Sequence, residues 1–377
     1  MLQLKQFPHP IYFVTLNSER WKDLLAHQSL PVELESLYEG CASGEDIWST
    51  QLYIYLKQQG LNVHLVERPV AGTICVVPYH FLAAKHLPFR SYIVAIQTDS
   101  ARPEICEQRV TLNELGVLDQ NDYAVPHLPH PLLQPRDRLR GTKLENLDFK
   151  GGICNIAKPF LEPNFVQQLA TLGIQFRFSS EDPKYKMREW GDYRQTDVVI
   201  AVRNATFADL RVKPAIKLIN AWLAGCPAIL GPEPAYQALR RSDLDFIEVR
   251  SPQEAIAALK RLKEDPVFYT AMVENGLERA KEFTTEQQLL DWHNLLSGKI
   301  AQGYEQWLQQ SVLQKLMGRP IQFIQRLLEH KRQIKRYLYL RDHGDRLFAP
   351  EPETDQPVEA TSIPTPIYQS NSSLVNR

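Results

Sequence analysis

The chain has 377 residues, 43 Lys+Arg against 44 Asp+Glu, a net charge of -1 and 44% hydrophobic residues. That balance excludes a generally basic nucleic-acid binder, an acidic disordered protein and a low-complexity fibre, and the length implies two domains. No run of about 18 apolar residues occurs, so no membrane-spanning helix is expected. The opening MLQLKQFPHPIYFVTL has too short an apolar patch for a secretory signal. Cys41, Cys75, Cys106, Cys154 and Cys226 are scattered, without CxxC. That usage suits a reducing cytoplasm and implies neither a disulfide framework nor zinc.

In chain order, Ile11–Leu16, Val63–Glu67, Thr73–Pro78 and Tyr92–Thr98 read as strands, rich in Val and Ile and bounded by turn formers. A helix is expected from Glu45 to Gln59, with Trp48, Leu52, Tyr55 and Leu56 on one face and Gly60 at its end. Residues 126–140 hold four prolines and three arginines, which break regular structure and mark a linker after a first domain, 1–125. Alternation then resumes. Leu147–Phe149 leads into Gly151-Gly152, followed by a helix Pro163–Leu172 and strands Ile174–Phe178 and Asp197–Val202. A helix Lys213–Ala224, a strand Pro227–Leu230, a helix Pro234–Arg240 and a strand Phe246–Val249 follow. Ser251 with Glu254 forms a capping box for a helix Pro252–Glu264, and helical sequence continues to Leu296. Strands alternating with helices imply parallel sheets, hence an α/β fold of two doubly wound Rossmann-like domains, the second spanning 141–298.

Charge is unevenly placed. Residues 299–346 carry ten Lys/Arg and four Asp/Glu, while 347–377 carry four acids, one Arg and five prolines and read as a disordered tail. Within the basic segment, a helical extension, Ile321, Ile324, Leu328, Ile334 and Leu338 recur at helical spacing. Such a helix either packs its stripe on the parent domain or lies, over residues 319–341, on an anionic membrane surface.

Chemistry concentrates in RNATFADLRVKPAIKLINAWLAGCPAILGPE, residues 203–233. Arg203 and Asn204 follow a buried strand, and Lys213 and Lys217 fall one helical turn apart at the expected start of the next helix. Pro214 suits a first turn, whose free amides and dipole attract anions. Arg203, Lys213 and Lys217 converging there suit a diphosphate. Alternatively, Arg203 pairs with Asp209 or Asp197, and the lysines are solvated. Asn220, one turn on, can offer its amide to a sugar hydroxyl. Gly151 and Gly152 can bring backbone amides near phosphate, or simply make a turn.

KLINAWLAGCPAILGP, followed by FIEV, SPQEAIAALKRLKEDP and AMVENGLERAKEF, resembles the donor-binding half of glycosyltransferases with the GT-B fold. It is similar to the retaining family with Glu-x7-Glu before a small-Gly-x-Pro strand entry. It is also similar to the Lys-Leu-x-Asn-Ala…Gly-x-Pro donor loop of α-1,3-fucosyltransferases. The resemblance spans about Leu147–Leu296. It implies a nucleotide diphosphate sugar as donor, a saccharide or other hydroxyl acceptor, and a donor diphosphate on Lys217 helped by Arg203 and Lys213. It also implies no metal, the leaving diphosphate being neutralised by cationic side chains and helix ends. Val212 and Asn220 stand where the family has its two glutamates, so stereochemistry and donor preference do not carry over. That departure keeps open a sugar-binding scaffold without catalysis, or an epimerase on the same fold.

On the acceptor side, His80 and Asp99 each follow an expected strand and are candidate bases. Asp46 is either a helix cap or a third candidate. His127 and His130 read as linker surface, Trp190 and Tyr193 as core or stacking residues, and Asp243 and Asp245 as surface carboxylates. There is no P-loop, HExxH, GxSxG or GxGxxG.

Overall fold

The structure, a computed structural model, describes residues 2–180, 182 and 184–348. The first sheet has six parallel strands in the order β2-β1-β3-β4-β5-β6. These are β1 (Ile11–Val14), β2 (Val63–Val66), β3 (Ile74–Pro78), β4 (Tyr92–Ile96), β5 (Gln108–Thr111) and β6 (Asp122–Ala124). Every residue of β3 and β4 is buried, as continuous Val/Ile runs covered on both faces require. Helices α1 (Lys22–His27), α2 (Glu35–Gly40) and α3 (Gln51–Gln58) belong to this half, and the helix expected from Glu45 opens with a π turn, Asp46–Thr50.

Strands β5 and β6 went unanticipated because polar residues fill them. Arg109 in β5 is buried by pairing, its Nε 2.6 Å from Asp122 Oδ1 and its Nη2 2.8 Å from Asp119 Oδ2.

The second sheet runs β11-β10-β9-β7-β8, again parallel. Its strands are β7 (Asn146–Phe149), β8 (Gln175–Phe178), β9 (Val198–Ala201), β10 (Ala228–Leu230) and β11 (Ile247–Glu248). The helices of this half are α4 (Pro163–Thr171), α5 (Lys186–Gly191), α6 (Phe207–Leu210), α7 (Ile216–Ala224), α8 (Pro234–Leu239), α9 (Pro252–Glu264) and α10 (Pro266–Ala280). Ser251 accepts from the Glu254 amide at 3.2 Å, while the Glu254 carboxylate takes the Arg250 amide at 2.7 Å.

Strand order reverses between β1 and β3 in one sheet and between β7 and β9 in the other. Ligands of doubly wound sheets bind outside the carboxyl ends of the strands at such reversals. These two points therefore locate the chemistry.

After α10 the chain returns to the first half. Residues of α11 (Thr285–Leu295), a π turn and α12 (Ala301–Leu308) enter the first core: Leu289, Trp292, Leu296, Ile300, Tyr304 and Trp307. At about 2 kcal/mol per buried large side chain, this docking outweighs any exposed ion pair, worth about 0–1 kcal/mol. Residues 285–298, expected in the second domain, thus pack on the first. The basic segment forms one long helix, α13 (Arg319–His343). At the start of the expected tail, Phe348 is buried in the second core; residues 349–377 lie outside the described residues.

Candidate active site

The reversal in the second sheet gathers three of the expected residues. β7 ends at Phe149, and Gly151 follows with φ +153°. A Cβ there would lie 2.8 Å from Lys217 Nζ, so only glycine lets this lysine lie against the turn. Lys217 Nζ donates to the Lys150 carbonyl and sits 4.9 Å from the Phe149 ring centroid. Beyond Gly152, the loop bridges to Arg203 through Ile156, and Asn204 N–H donates to Asn155 O at 3.0 Å.

Arg203, just past β9, is buried; it pairs with neither Asp209 nor Asp197. Its Nη2 donates to the Tyr236 hydroxyl at 2.8 Å, and its Nε lies 3.3 Å from Glu233 Oε1. Glu233 is wholly buried, and neither carboxylate oxygen has a hydrogen-bond partner. Burial pushes its pKa up, against the pull of Arg203. Sequence reasoning missed this residue. Its signal was a lone acid in GPEPAY at the carboxyl end of a buried strand, which reads as a helix start; there Glu233 makes no capping bond.

Lys213 departs from the expectation. α7 begins only at Ile216, with Ala215 as an uncapped N-terminal residue, so Lys213 lies in the preceding loop. Pro214 stops the helix short, because the residue before proline is pushed out of the helical region. Lys213 Nζ instead reaches across the cleft to Asp99 Oδ2, at 2.5 Å. Burial, reinforced by the Arg203 charge, pushes the half-buried Lys217 down to about 7.

In the first domain, Thr98 takes φ 55°, a strained conformation for a β-branched residue, and its buried Oγ1 has no partner. Asp99 follows at this bend, so this candidate base is already paired with Lys213 of the second domain. His80, one residue past the Pro78-Tyr79 exit from β3, has both ring nitrogens engaged. Its Nδ1 is 2.7 Å from Glu45 Oε1 and its Nε2 is 2.9 Å from Ser100 Oγ. The hydrogen bond to Glu45 raises the His80 pKa, and the same bond holds Glu45 down to about 2. An acceptor hydroxyl would have to displace Ser100 to meet His80. Asp46 is no candidate: it is buried and accepts from Arg20 at 2.7 Å, Trp21 Nε1 at 2.7 Å and Ser43 at 2.9 Å.

Residues 162–294 match the family described as "Glycosyl transferase-like". The chain also superposes on sucrose-phosphate synthase of Thermosynechococcus elongatus with a TM-score of 0.51 and 11% identity, over 78% of this chain and 100% of that one. The chain carries a glycosyltransferase domain of the GT-B fold. HepE of Anabaena, solved with UDP and glucose, aligns with a TM-score of 0.45 and 12% identity, over 77% of this chain and 100% of that one. No curated protein matches the sequence. At such identities the solved structures establish the fold alone.

The linker of this glycosyltransferase fold is pinned rather than loose. Asn220 is buried, and its Oδ1 accepts the His130 amide at 3.1 Å, so it faces the linker and not an open sugar site. His127, expected at the surface, is buried, and His130 is largely covered. His130 Nδ1 accepts from the Leu132 amide at 3.2 Å, which leaves the ring proton on a buried, unpartnered Nε2. Tyr193 is core, Trp190 lies under Lys186 at 4.4 Å, and Asp245 is buried against Arg279 at 3.2 Å, while Asp243 stays exposed. A cavity of about 320 Å³ lined by Leu132, Gln134, Arg188, Asp192 and Arg194 opens beside the linker, but Arg203, Lys213 and Lys217 do not line it.

Burial pushes His127 down to about 4 and His130 to about 3, with His127 and Lys150 adding like charge at His130. Both folded values lie below the unfolded one near 6.5, so the stability gained by keeping the rings neutral is present above pH 6.5. It is lost as pH falls, by about 3 kcal/mol per ring at pH 4. Urea midpoints of His127→Gln and His130→Gln should fall less steeply between pH 6.5 and 4 than those of the parent. Parallel curves would contradict the assignment.

The cleft mouth is strapped by α13 and the residues that follow it to Phe348. The Tyr337 hydroxyl donates to Asp209 at 2.7 Å, and Arg346 Nη1 donates to the Asn204 carbonyl at 3.0 Å. Phe348 packs 5.3 Å from Phe160 and against Gly231, on the carboxyl ends of β9 and β10.

Proposed function

We propose that the protein transfers a glycosyl group from a nucleotide diphosphate sugar to a hydroxyl of a saccharide or other acceptor, in polysaccharide or glycoconjugate synthesis. We place this reaction in the cytoplasm, at the face of an anionic membrane. The observation that carries the transfer reading is Lys217 lying on the Lys150–Gly151 turn beside Arg203, at the reversal between β7 and β9.

On this reading the anomeric carbon–oxygen bond breaks with its electron pair going to the diphosphate. Arg203, Lys213 and Lys217 stabilise that charge, which is the main demand of the step, without a metal. In the structure Glu233 and Asp99 balance two of these cations. A diphosphate would replace the carboxylates as counter-charge, and Asp99, freed from Lys213, or His80 would then serve the acceptor.

A thermal-shift panel of ADP-, GDP-, UDP- and dTDP-sugars tests this reading. One nucleotide class should raise the Tm by several degrees, since a ligand at 100 times its Kd adds about 2.7 kcal/mol. Nucleoside diphosphate should then be released only when acceptor is added. No response to any of the four would leave a sugar-binding scaffold instead.

A further inference from the structure

Helix α13 packs on the body through the face that carries Phe323, Arg326, His330 and Tyr337. The Phe323 ring lies tilted 5.3 Å from Phe89, Arg326 pairs with Glu107 at 2.8 Å, and the His330 ring lies 5.6 Å from Tyr79. Four of the five residues of the stripe picked out by periodicity face elsewhere, while Ile334, one turn from His330 and Tyr337, is half-buried. Ile321, Ile324 and Leu328 are 52%, 57% and 55% exposed, and spacings of three and four residues continue the stripe through Lys331 and Lys335 to Leu338. The turn before α13 adds Val312, Leu313, Leu316 and Met317, each 57–72% exposed. An apolar run of this size left in water marks an interaction surface.

We propose that this face, from Val312 to Leu338, is a lipid-docking surface that lies in the plane of an anionic membrane. The proposal rests on the peripheral placement given above and names the surface that makes the contact. Charge selects the occupant. Lys315, Lys331, Lys335 and Arg336 form no ion pair among the described residues, and Lys331 and Lys335 extend the apolar stripe itself. A hydrophobic protein groove would have to bury those ammonium groups. At a bilayer surface the apolar side chains enter the acyl boundary while lysine stems reach back to anionic headgroups. No helix among the described residues is long and apolar enough to cross a membrane, so the contact is in-plane. Because the opposite face of α13 straps the cleft, docking would hold the cleft mouth at a fixed height above the lipid.

Vesicle flotation of the full chain tests this, using vesicles of phosphatidylcholine alone and with a third phosphatidylglycerol. Binding should appear on the anionic vesicles, weaken at least tenfold in half-molar salt, and be lost at least tenfold in Ile324→Glu and Leu328→Glu. Urea midpoints of both variants should match the parent, since neither side chain is buried. Parent binding that survives both substitutions overturns this surface while leaving the peripheral reading intact. No binding of the parent overturns both, whatever the transfer assay shows. A concentration-dependent dimer that Ile324→Glu dissociates, with no vesicle binding, overturns the proposal in favour of a second copy of the chain.

Discussion

Lys217→Ala is expected to lower turnover by about 10²–10³-fold, the usual cost of removing one preorganised charge aimed at a developing anion. The fold should survive, because Lys217 makes one side-chain hydrogen bond, to a carbonyl, and its ammonium is disfavoured by burial and by Arg203. The same depression gives the sharper test. With a free-state value of about 7, the side chain is largely neutral at pH 8. A bound diphosphate favours the charged form, so binding must take up a proton above pH 7. Nucleoside diphosphate affinity should therefore fall by up to tenfold per pH unit between pH 7 and 9, with matching proton uptake in calorimetry. Lys217→Ala should bind more weakly and lose that dependence. A flat profile for the parent would show that Lys217 is already charged before the nucleotide binds, and unchanged affinity and turnover in Lys217→Ala would remove it from the site.

Why some of this was legible in sequence and some was not follows from how each element is stabilised. Strands β3, β4, β9 and β10 are buried at every position, so their apolar runs announced them, and with them the parallel sheets and the places where chemistry could sit. Arg203 and Lys217 were found because they follow or adjoin such strands. Glu233 was not, since its burial depends on Arg203, thirty residues earlier in the chain. The same holds for the buried carboxylates. Asp46 is satisfied by Arg20 and Trp21, and Asp245 by Arg279 and the Arg241 and Ser242 amides. No local pattern separates them from an exposed acid such as Asp243. For α13, periodicity identified an apolar stripe but not which face the body would cover. Phe89, Glu107 and Tyr79 on the first domain decided that, by matching a mixed polar and aromatic face instead.

Asp197→Asn is expected to cost about 3–5 kcal/mol, the range for breaking a buried ion pair on one side. Asp197 is fully buried and accepts from Arg136 Nη2 at 2.8 Å, Arg140 Nε and Nη2 at 2.7 Å, and the Glu145 and Asn146 amides at 2.8 and 2.9 Å. Asparagine keeps the shape but leaves the buried Arg136 guanidinium uncompensated and turns an NH2 group toward other donors. Asp243→Asn, at a carboxylate in water, should change stability by less than about 0.5 kcal/mol. The arginine partners hold the Asp197 pKa below its unfolded value near 3.8, so its contribution is complete at neutral pH and is lost only as the pH falls below that value. The effect on function follows from where the partners lie. Arg136 and Arg140 belong to the end of the linker, so Asp197 fixes that end to the second domain, as Asn220 does at His130. Releasing it should raise proteolytic cleavage after Arg138 and Arg140 in the native state, in proportion to the lost stability. A variant as stable as the parent, or one destabilised without new cleavage at those arginines, would show that the linker is held by other contacts.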